Sequence, residues 1–314
     1  MRLSVVVPHR DCSVLGRCLA ALESGTRAPD ELVVVDDGST GAPEVGESSA
    51  TLLTQPHRGP AAARNLGARA SSGDVLVFVD ADVEVSRTAL ACLEARLLAE
   101  PELTAVQGLY AADCPVPTVA ARLSNLLQRR QILQVGDHPF AGLSSFCVAI
   151  RRSAFERTAG FDERLARPTV EDDNLGLELA ALGYRIAVDP TVEVSHHATP
   201  TSAGLCRRMA AMAEDRVRTL DTWRRHRPPR GSRTHHRPAL LAATALAGTA
   251  LALGPLGLPI WPLVLLAQAD RLTEAAQQYG VGFASRAAPL LMAMPAAAAV
   301  GVARGAFALT RGTP

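Results

Sequence analysis

Three short apolar runs stand out in the first quarter of the chain. They read LSVVVP at 3–8, ELVVVDDGS at 31–39 and DVLVFVDAD at 74–82. The stretches between them carry apolar residues at helical spacing, as in VLGRCLAALES. Short, unbroken β-branched runs that alternate with helices are typical of a parallel sheet covered by helices on both faces. The pattern predicts an α/β fold of Rossmann type.

Two of these predicted strands end in paired acidic residues. Asp36 and Asp37 follow one strand, and Asp80 and Asp82 follow another. In sheets of this kind ligands bind beyond the carboxyl ends of the strands. We therefore expect these four side chains to lie together at one edge of the sheet, which we call the rim. Asp80 and Asp82 are two apart on an extended chain and point to the same side, where they could share one Mg²⁺ or Mn²⁺ ion. The alternative is an ordinary strand-end turn, where aspartate is common.

Two further stretches carry candidate chemistry. In RGPAAARNLGARAS, Arg64 on a predicted helix could meet a phosphate, although by itself it is a solvated arginine. The stretch VEDDNLGLELAALGYRI has Leu175, Leu179 and Leu182 at helical spacing, which predicts a helix whose first turn holds three acids, 171–173. Carboxylates at a helix N-terminus are also favourable caps, so this pattern alone does not assign a catalytic role.

The chain changes character beyond residue 205. An amphipathic stretch at 206–223 is followed by an arginine-rich run at 224–237 and an uncharged stretch at 238–269. A membrane-spanning helix needs about 20 apolar residues, so the uncharged stretch predicts a span. A weaker apolar stretch at 287–303 predicts a second span or a re-entrant segment, with the preceding residues 1–237 in the cytoplasm by the positive-inside rule. The alternative is a buried helical bundle.

Composition removes several function classes. The chain has 314 residues, 48% of them apolar, and a net charge of +1, which predicts a globular protein without an overall pull toward nucleic acid. All 32 basic residues are arginine, so lysine Schiff-base enzymes and Walker-type phosphate loops are excluded. The six cysteines include no CxxC pair and are expected to be reduced, buried residues of a cytosolic domain. The N-terminal apolar run is too short for a signal peptide.

In combination, five motifs resemble glycosyltransferase family 2. They are SVVVPHRD, VVVDDGST, GPAAARNLGARASSGDVLVFVDADV, GFDERL and VEDDNLGLELAALGYRI, in this order between residue 3 and about residue 200. The resemblance implies the GT-A nucleotide-sugar fold, a mixed or parallel sheet with helices on both faces, and the apolar stretches predict C-terminal transmembrane helices after it. The resemblance divides the fold into a nucleotide-sugar-binding half at 1–111 and an acceptor-binding half at 112–205. The amphipathic and apolar stretches predict a membrane-proximal segment at 206–238 and a membrane region of one to two spans at 239–314.

The resemblance also implies a donor site. Pro8 and Asp37 would lie at the nucleoside pocket, with Asp37 toward the base and Arg64 nearby. Asp80 and Asp82 form the DxD motif, which would hold Mg²⁺ or Mn²⁺ on the diphosphate of the donor. His196 would lie near the diphosphate or the metal, and its neighbour His197 could take that part instead.

The catalytic assignment falls on the acidic helix start. Glu171 and Asp172 match the family's ED pair, in which Asp172 would be the base, but a third acid, Asp173, could take that role. The short segment GLSSF at 142–146 is expected to line the acceptor site. The QxxRW motif of processive members is missing, and this absence predicts the transfer of one sugar.

The expected function is inverting, metal-dependent transfer of one sugar from a nucleotide diphosphate sugar, with UDP favoured by the family's habit. The acceptor would be the hydroxyl of a lipid-linked molecule or a glycan at the cytoplasmic face of the inner membrane, with no role for nucleic acid. One alternative is a polyprenyl-phosphate sugar synthase, whose acceptor is a phosphate. Another is a non-catalytic nucleotide-sugar-binding membrane protein, against which the retained DxD and ED motifs argue.

Overall fold

The β-branched runs of the first 80 residues form the centre of an eight-stranded sheet in the computed structural model of the protein. The structure describes residues 1–134, 142–227 and 238–311. It divides into a sheet unit, containing Met1–Pro115 and Arg129–His197, and a helical unit, containing Val116–Gln128, Ala198–Arg224 and the helices from residue 238 onward.

The strands of the sheet are β1 Leu3–His9, β2 Glu31–Asp37, β3 Thr51–Gln55, β4 Val75–Val79, β5 Val83–Val85, β6 Leu103–Tyr110, β7 Cys147–Arg151 and β8 Arg185–His196. Their order across the sheet is β3-β2-β1-β4-β7-β6-β8-β5. Strand β1 pairs in parallel with β2 and β4, whereas β7 is antiparallel to both β4 and β6, so the sheet is mixed.

Helices cover both faces of the sheet, as the apolar runs predict. The helices up to residue 181 are α1 Leu15–Glu23, α2 Pro60–Ala70, α3 Ala89–Ala99, α4 Val119–Leu133, α5 Arg152–Phe155 and α6 Glu171–Ala181. Alternate residues along a strand point to opposite faces. Accordingly Val5 and Val77 pack in one apolar cluster with α1 and α3 residues, while Val6 and Phe78 pack in another with residues of α2 and α6.

Strand register fixes the polar rim. His9 at the end of β1 lies opposite Asp36, and Asp37 at the end of β2 lies opposite Gln55. β4 ends one residue before Asp80, and the chain then enters the short strand β5, which pairs with the end of β8. The acidic strand ends therefore gather at the carboxyl edge of the parallel strands, where the sequence predicted them.

The helical unit contains the remaining helices. The uncharged stretch at 238–269 does not form one long helix, because it is interrupted at Gly254, where φ is +56°, and continues as a 3₁₀ segment containing Pro255 and Pro259. These helical elements are α7 Ser202–Arg218, α8 Leu220–Arg225, α9 Pro238–Ala252, the 3₁₀ segment Gly254–Ile260, α10 Trp261–Leu266, α11 Ala269–Tyr279 and α12 Val281–Thr310.

The long apolar helix is α12. It has 30 residues and is, within the described residues, the one helix long and apolar enough to cross a membrane. The sequence predicted this region as the weaker of the two apolar stretches, so the structure reverses their order. Length and composition also describe the core helix of a soluble protein, and they do not by themselves establish a span.

A glycine contact sets the distance between α2 and the sheet. A Cβ atom placed on Gly67 would overlap the side chain of Val6 on β1. Both residues are buried, so the helix could accept a larger side chain here only by moving away from the strand. Because α2 also carries Arg64, this contact affects the geometry of the rim.

We expect Gly67→Ala to destabilise the sheet unit by about 1–2 kcal/mol, because the overpacking cost exceeds the helix-propensity gain of alanine. The matched control is Gly41→Ala, whose Cβ would meet no atom within 4 Å. Thermal unfolding followed by circular dichroism measures the melting temperatures of both variants. Equal melting temperatures for Gly67→Ala and the wild type would contradict the packing argument.

Candidate functional site

A buried arginine joins the two acidic motifs of the rim. Arg64 on α2 donates from Nη2 to Oδ1 of Asp80 at 2.7 Å and from Nη1 to Oε1 of Glu171 at 3.0 Å. Its guanidinium carbon lies 5.3 Å from the centre of the Phe161 ring. Asp80 follows strand β4 and Glu171 begins helix α6, so one side chain fixes the end of the strand relative to the start of the helix.

The carboxylate partners of Arg64 stabilise its positive charge. Burial opposes the charged form, but the carboxylates of Asp80 and Glu171 outweigh it and raise the pKa of the guanidinium above its ordinary value. The second oxygen of Glu171 accepts the backbone N–H of Thr169 at 2.8 Å. Both oxygens of Glu171 are thus engaged, which gives this buried carboxylate the geometry of a positioning group.

Asp172, the predicted base, lies beside this pair and is half-buried. Its Oδ2 accepts the Ser145 backbone N–H at 3.1 Å, and the Ser145 hydroxyl lies 3.4 Å from the same oxygen. Burial, followed by the charges of Glu171 and Asp173, raises the pKa of Asp172 to about 7, although Arg64 and the Ser145 N–H oppose the rise. A helix N-terminus by itself lowers the pKa of a nearby carboxylate, and at Asp172 burial with two neighbouring carboxylates outweighs that effect.

Asp173, the alternative base, is 7% exposed, and its backbone N–H donates to Oδ1 of Asp172 at 2.8 Å. A base must reach the proton that it removes from the acceptor. The more exposed Asp172 is the better placed of the two, and we keep it as the predicted base.

The segment 142–146 holds Asp172 in place. Ser144 donates its backbone N–H to Oε1 of Gln107 at 2.9 Å, and Gln107 is a fully buried residue of β6. Two residues on, the carbonyl of Phe146 accepts the backbone N–H of Asp80 at 3.1 Å. The segment thereby connects the central sheet, the DxD motif and Asp172. The sequence placed GLSSF near the acceptor but gave no signal for Gln107, which is distant in sequence.

The second carboxylate of the DxD motif lies next to a predicted histidine. Nε2 of His196 is 3.2 Å from Oδ2 of Asp82, because strand pairing sets His196 opposite Val83. The His196 ring stacks on Tyr110 with ring centres 4.8 Å apart. His197 instead has its Nε2 2.8 Å from Oε2 of Glu84. Of the two neighbouring histidines, His196 is therefore the one that faces the DxD motif.

These residues fit a divalent cation as part of a coordination shell. The Asp80 and Asp82 side chains are 31% and 33% exposed, so both carboxylates are accessible at the rim. Oxygen donors of this kind suit Mg²⁺ or Mn²⁺, ions that commonly complete their shells with water and substrate phosphates. One oxygen of Asp80 is bound by Arg64, and the described residues contain no group of three or more ligating side chains arranged to hold a metal. A phosphate-bearing substrate would have to supply further ligands.

The predicted nucleoside pocket is built around Asp37. Its Oδ1 accepts from Gln55 Nε2 at 2.7 Å and from the Arg58 N–H at 2.8 Å, and its Oδ2 accepts from the Gly59 N–H at 2.8 Å and faces His57 Nδ1 at 2.8 Å. Burial opposes ionisation, but these hydrogen bonds lower the pKa of Asp37 below its ordinary value. Pro8, the other predicted pocket residue, is half-buried near the end of the neighbouring strand β1.

Comparison with known proteins relates the sheet unit to one family. Residues 4–158, slightly less than half of the chain, match the family model described as glycosyl transferase family 2. Over these residues the chain is similar to that family. The match supports the predicted enzyme class, a glycosyltransferase.

Named relatives agree with this assignment. Over 206 residues the chain is 31% identical to a pre-mycofactocin glycosyltransferase of Mycobacterium tuberculosis, a match that covers 62% of this chain and 42% of the relative. Over 69 residues it is 39% identical to an N-acetylglucosaminyl-diphospho-decaprenol L-rhamnosyltransferase of the same species, covering 22% of each. The chain thus spans less than half the length of these relatives.

The fold is shared with a solved glycosyltransferase. A mannosyltransferase of Pyrobaculum calidifontis, solved with GDP-Man and Mn²⁺, superposes with a TM-score of 0.63 at 22% identity, covering 98% of this chain and 87% of that one. At this identity the likeness establishes the fold alone. The predicted GT-A-like mixed α/β sheet with helices is confirmed.

We expect Arg64→Met to lower the stability of the sheet unit by about 3–5 kcal/mol, because Glu171 would be left buried without its cationic partner. The double variant Arg64→Met with Glu171→Gln should recover part of the loss. Arg69→Met on the same helix is the control, since Arg69 is 61% exposed and its ion pair with Glu163 contributes about 0–1 kcal/mol. Chemical denaturation measures the free energy of unfolding of all three variants. A small effect of Arg64→Met alone would contradict the bridging role.

Proposed function

We propose that this protein transfers one sugar, with inversion, from a nucleotide diphosphate sugar to an acceptor hydroxyl. The observation that carries the proposal is the position of Asp172. A carboxylate with a pKa of about 7 lies beside Glu171, and Arg64 connects Glu171 to the DxD residue Asp80. A general base works best when its pKa is near the working pH.

Each residue of the network has a separate task in this reaction. Asp172 accepts the proton of the acceptor hydroxyl during in-line attack, so no covalent intermediate is required. Arg64 and Glu171 keep the DxD motif and the base at a constant separation. Asp80 and Asp82, with His196 beside them, would hold Mg²⁺ or Mn²⁺, which would stabilise the negative charge of the departing nucleoside diphosphate.

The substrate class is inferred from the chemistry of the rim and from the relatives. The names of the compared proteins include a donor, GDP-Man, and a lipid-linked acceptor, a diphospho-decaprenol. For this protein we infer a nucleotide diphosphate sugar, UDP-linked by preference, and a lipid-linked or glycan acceptor. The missing QxxRW motif supports transfer of a single sugar.

Apolar surface in the helical unit supports a membrane location. Leu256, Leu258, Leu266 and Val281 are between 66% and 81% exposed, and α12 is long enough to span a bilayer. We infer that the helical unit contacts the inner membrane and that the sheet unit is cytoplasmic. The arginine-rich run assigned to the membrane surface lies mainly at 228–237, outside the described residues.

Two other functions are compatible with the same fold. A polyprenyl-phosphate sugar synthase would use a phosphate acceptor, which needs no base, and the raised pKa of Asp172 favours a hydroxyl acceptor over it. A non-catalytic binding protein would retain nucleotide binding without turnover. Metal-dependent hydrolysis of UDP-sugars by the detergent-solubilised protein, followed by mass analysis of glycosylated membrane lipids, distinguishes the three.

We expect Asp172→Asn to lower the rate of sugar transfer by about 10²–10⁴-fold while nucleotide binding persists, because only proton removal is lost. Asp173→Asn is the matched control and should keep most of the activity. Transfer rates and nucleotide affinities are measured on both variants. If Asp173→Asn abolishes transfer and Asp172→Asn does not, the base is Asp173.

The pKa of Asp172 also predicts a dependence on pH. The rate of transfer should rise with pH through about 7, because the base acts in its ionised form. Stability should run in the opposite direction. A folded-state pKa above the ordinary aspartate value stabilises the fold at low pH, and this contribution is lost as the pH rises from about 4 to about 7.

The Asp172→Asn variant tests this second effect, since asparagine does not titrate. Its melting temperature should exceed that of the wild type at pH 7 and above, by an amount equivalent to about 1 kcal/mol or more, and the difference should shrink toward pH 4. A difference that does not vary with pH would contradict the assignment of the raised pKa to Asp172.

A further inference from the structure

Asp37, the carboxylate predicted to bind the nucleobase, has no free hydrogen-bond acceptor position. Asp37 has two bonds at each oxygen, with Gln55 and the Arg58 N–H on one and His57 and the Gly59 N–H on the other. A carboxylate offers about four acceptor positions, so an incoming N–H group would have to displace one of these partners. Asp37 is also only 3% exposed. A different group must therefore face a nucleoside at this strand end.

The exposed group is the imidazole of His57. Its side chain is 42% exposed, its Nδ1 lies 2.8 Å from Asp37 Oδ2, and its Nε2 lies 2.8 Å from Nη1 of Arg10. A guanidinium can only donate hydrogen bonds, so Nε2 is the acceptor and Nδ1 carries the hydrogen that is donated to Asp37. The surroundings thus select one neutral tautomer, with its lone pair directed at the exposed Arg10.

The backbone holds this histidine against the sheet. Gly38, with φ of +73°, follows Asp37, and a Cβ atom there would lie 2.7 Å from the backbone nitrogen of His57. Gly59, with φ of +95°, lies two residues after His57, between β3 and α2, and a Cβ there would lie 2.5 Å from the carbonyl oxygen of Ala166. Glycine at both positions allows the segment that carries His57 to approach the end of β2 and Ala166 this closely. The imidazole is consequently presented at the carboxyl ends of β1 and β2, where nucleotides bind in sheets of this kind.

We propose that His57, oriented by Asp37, reads the ring N–H of the donor's base, and that Arg10 moves from His57 to the donor's diphosphate. This inference rests on the proposed function. A neutral imidazole with Nε2 as acceptor can bind uracil or guanine, each of which has a ring N–H. Cytosine and adenine present an unprotonated ring nitrogen at the equivalent position, and two lone pairs would then face each other, which disfavours these bases.

Arg10 supplies the second part of the site. It is exposed and bonded to a neutral imidazole, a weaker partner than a phosphate, because charge-assisted hydrogen bonds to anions are stronger. Transfer of Arg10 to the diphosphate would release the Nε2 lone pair when the donor arrives. Binding of the diphosphate and reading of the base would then be coupled through one side chain.

The test compares UDP, GDP, CDP and ADP by titration calorimetry in the presence of Mn²⁺. The wild type should bind UDP or GDP at least about tenfold more tightly than CDP and ADP, a factor equal to one hydrogen-bond difference. His57→Phe should remove this preference and leave the affinity for CDP nearly unchanged, whereas His57→Gln, which retains an acceptor, should keep part of it. Unchanged preference in His57→Phe overturns the inference.

Two controls complete the experiment. Arg10→Ala should weaken all four nucleotides by a similar factor of about ten, whereas Arg17→Ala, an exposed arginine on α1, should weaken none. The melting temperature of each variant verifies folding. If the wild type transfers sugar from its donor but His57→Phe keeps the base preference, only the inference fails. If the wild type binds no nucleoside diphosphate, the proposed function fails with it.

Discussion

The ion pairs of one buried guanidinium determine the geometry of the site. Arg64 lies between Asp80 and Glu171, and it is buried together with Glu171. A buried charge is tolerated only when it is paired, so neither the end of β4 nor the start of α6 can move independently of α2. The three elements come from distant parts of the chain, since Arg64 and Glu171 are 107 residues apart. This interaction makes the DxD and ED motifs a single structure.

The same interaction explains the protonation behaviour of Asp172. Arg64 donates from Nη2 to Asp80 and from Nη1 to Glu171, so these two carboxylates offset much of its positive charge at Asp172. Asp172 then senses burial and two carboxylate neighbours, and these raise its pKa more than Arg64 and the Ser145 N–H lower it. The pKa of this carboxyl lies near neutrality because the nearby positive charge of Arg64 is already paired with other carboxylates.

The sequence was sufficient to predict the strands of the sheet and the acidic residues that lie at its rim. The unbroken runs at 3–8, 31–39 and 74–82 predicted buried parallel strands, because only a strand covered on both faces can be apolar at consecutive positions. The partners of each polar side chain were not predictable, because they depend on side-chain directions across long separations. Gln107 had no local signal at all. The hydrogen bonds of Asp37 to Gln55 and His57 depend on the pairing of β2 with β3 and on the segment that follows β3.

The helical unit shows the limit of apolarity as a signal. The sequence ranked 238–269 above 287–303 by apolar length, but a positive φ at Gly254 and the following prolines divide the first stretch, whereas α12 continues through Pro289 and Pro295. A count of apolar residues does not contain this information, because a helix depends on backbone hydrogen bonds and on the packing that can compensate for lost ones.

The packing of α12 indicates whether water or lipid surrounds this helix. Its small residues Gly301 and Gly305 face α7, where a Cβ on Gly301 would overlap the Ala210 backbone and one on Gly305 would lie 2.7 Å from the Glu214 carbonyl oxygen. Near its C-terminal end Phe307 and Leu309 point outward instead and are 56% and 50% exposed, whereas Phe283, Leu290 and Leu291 in its first half are buried. In water a helix gains stability by burying its large apolar side chains. In lipid, close contact through small residues with large apolar ones facing outward is the favoured arrangement, which supports a bilayer as the proposed environment of the C-terminal end of this helix.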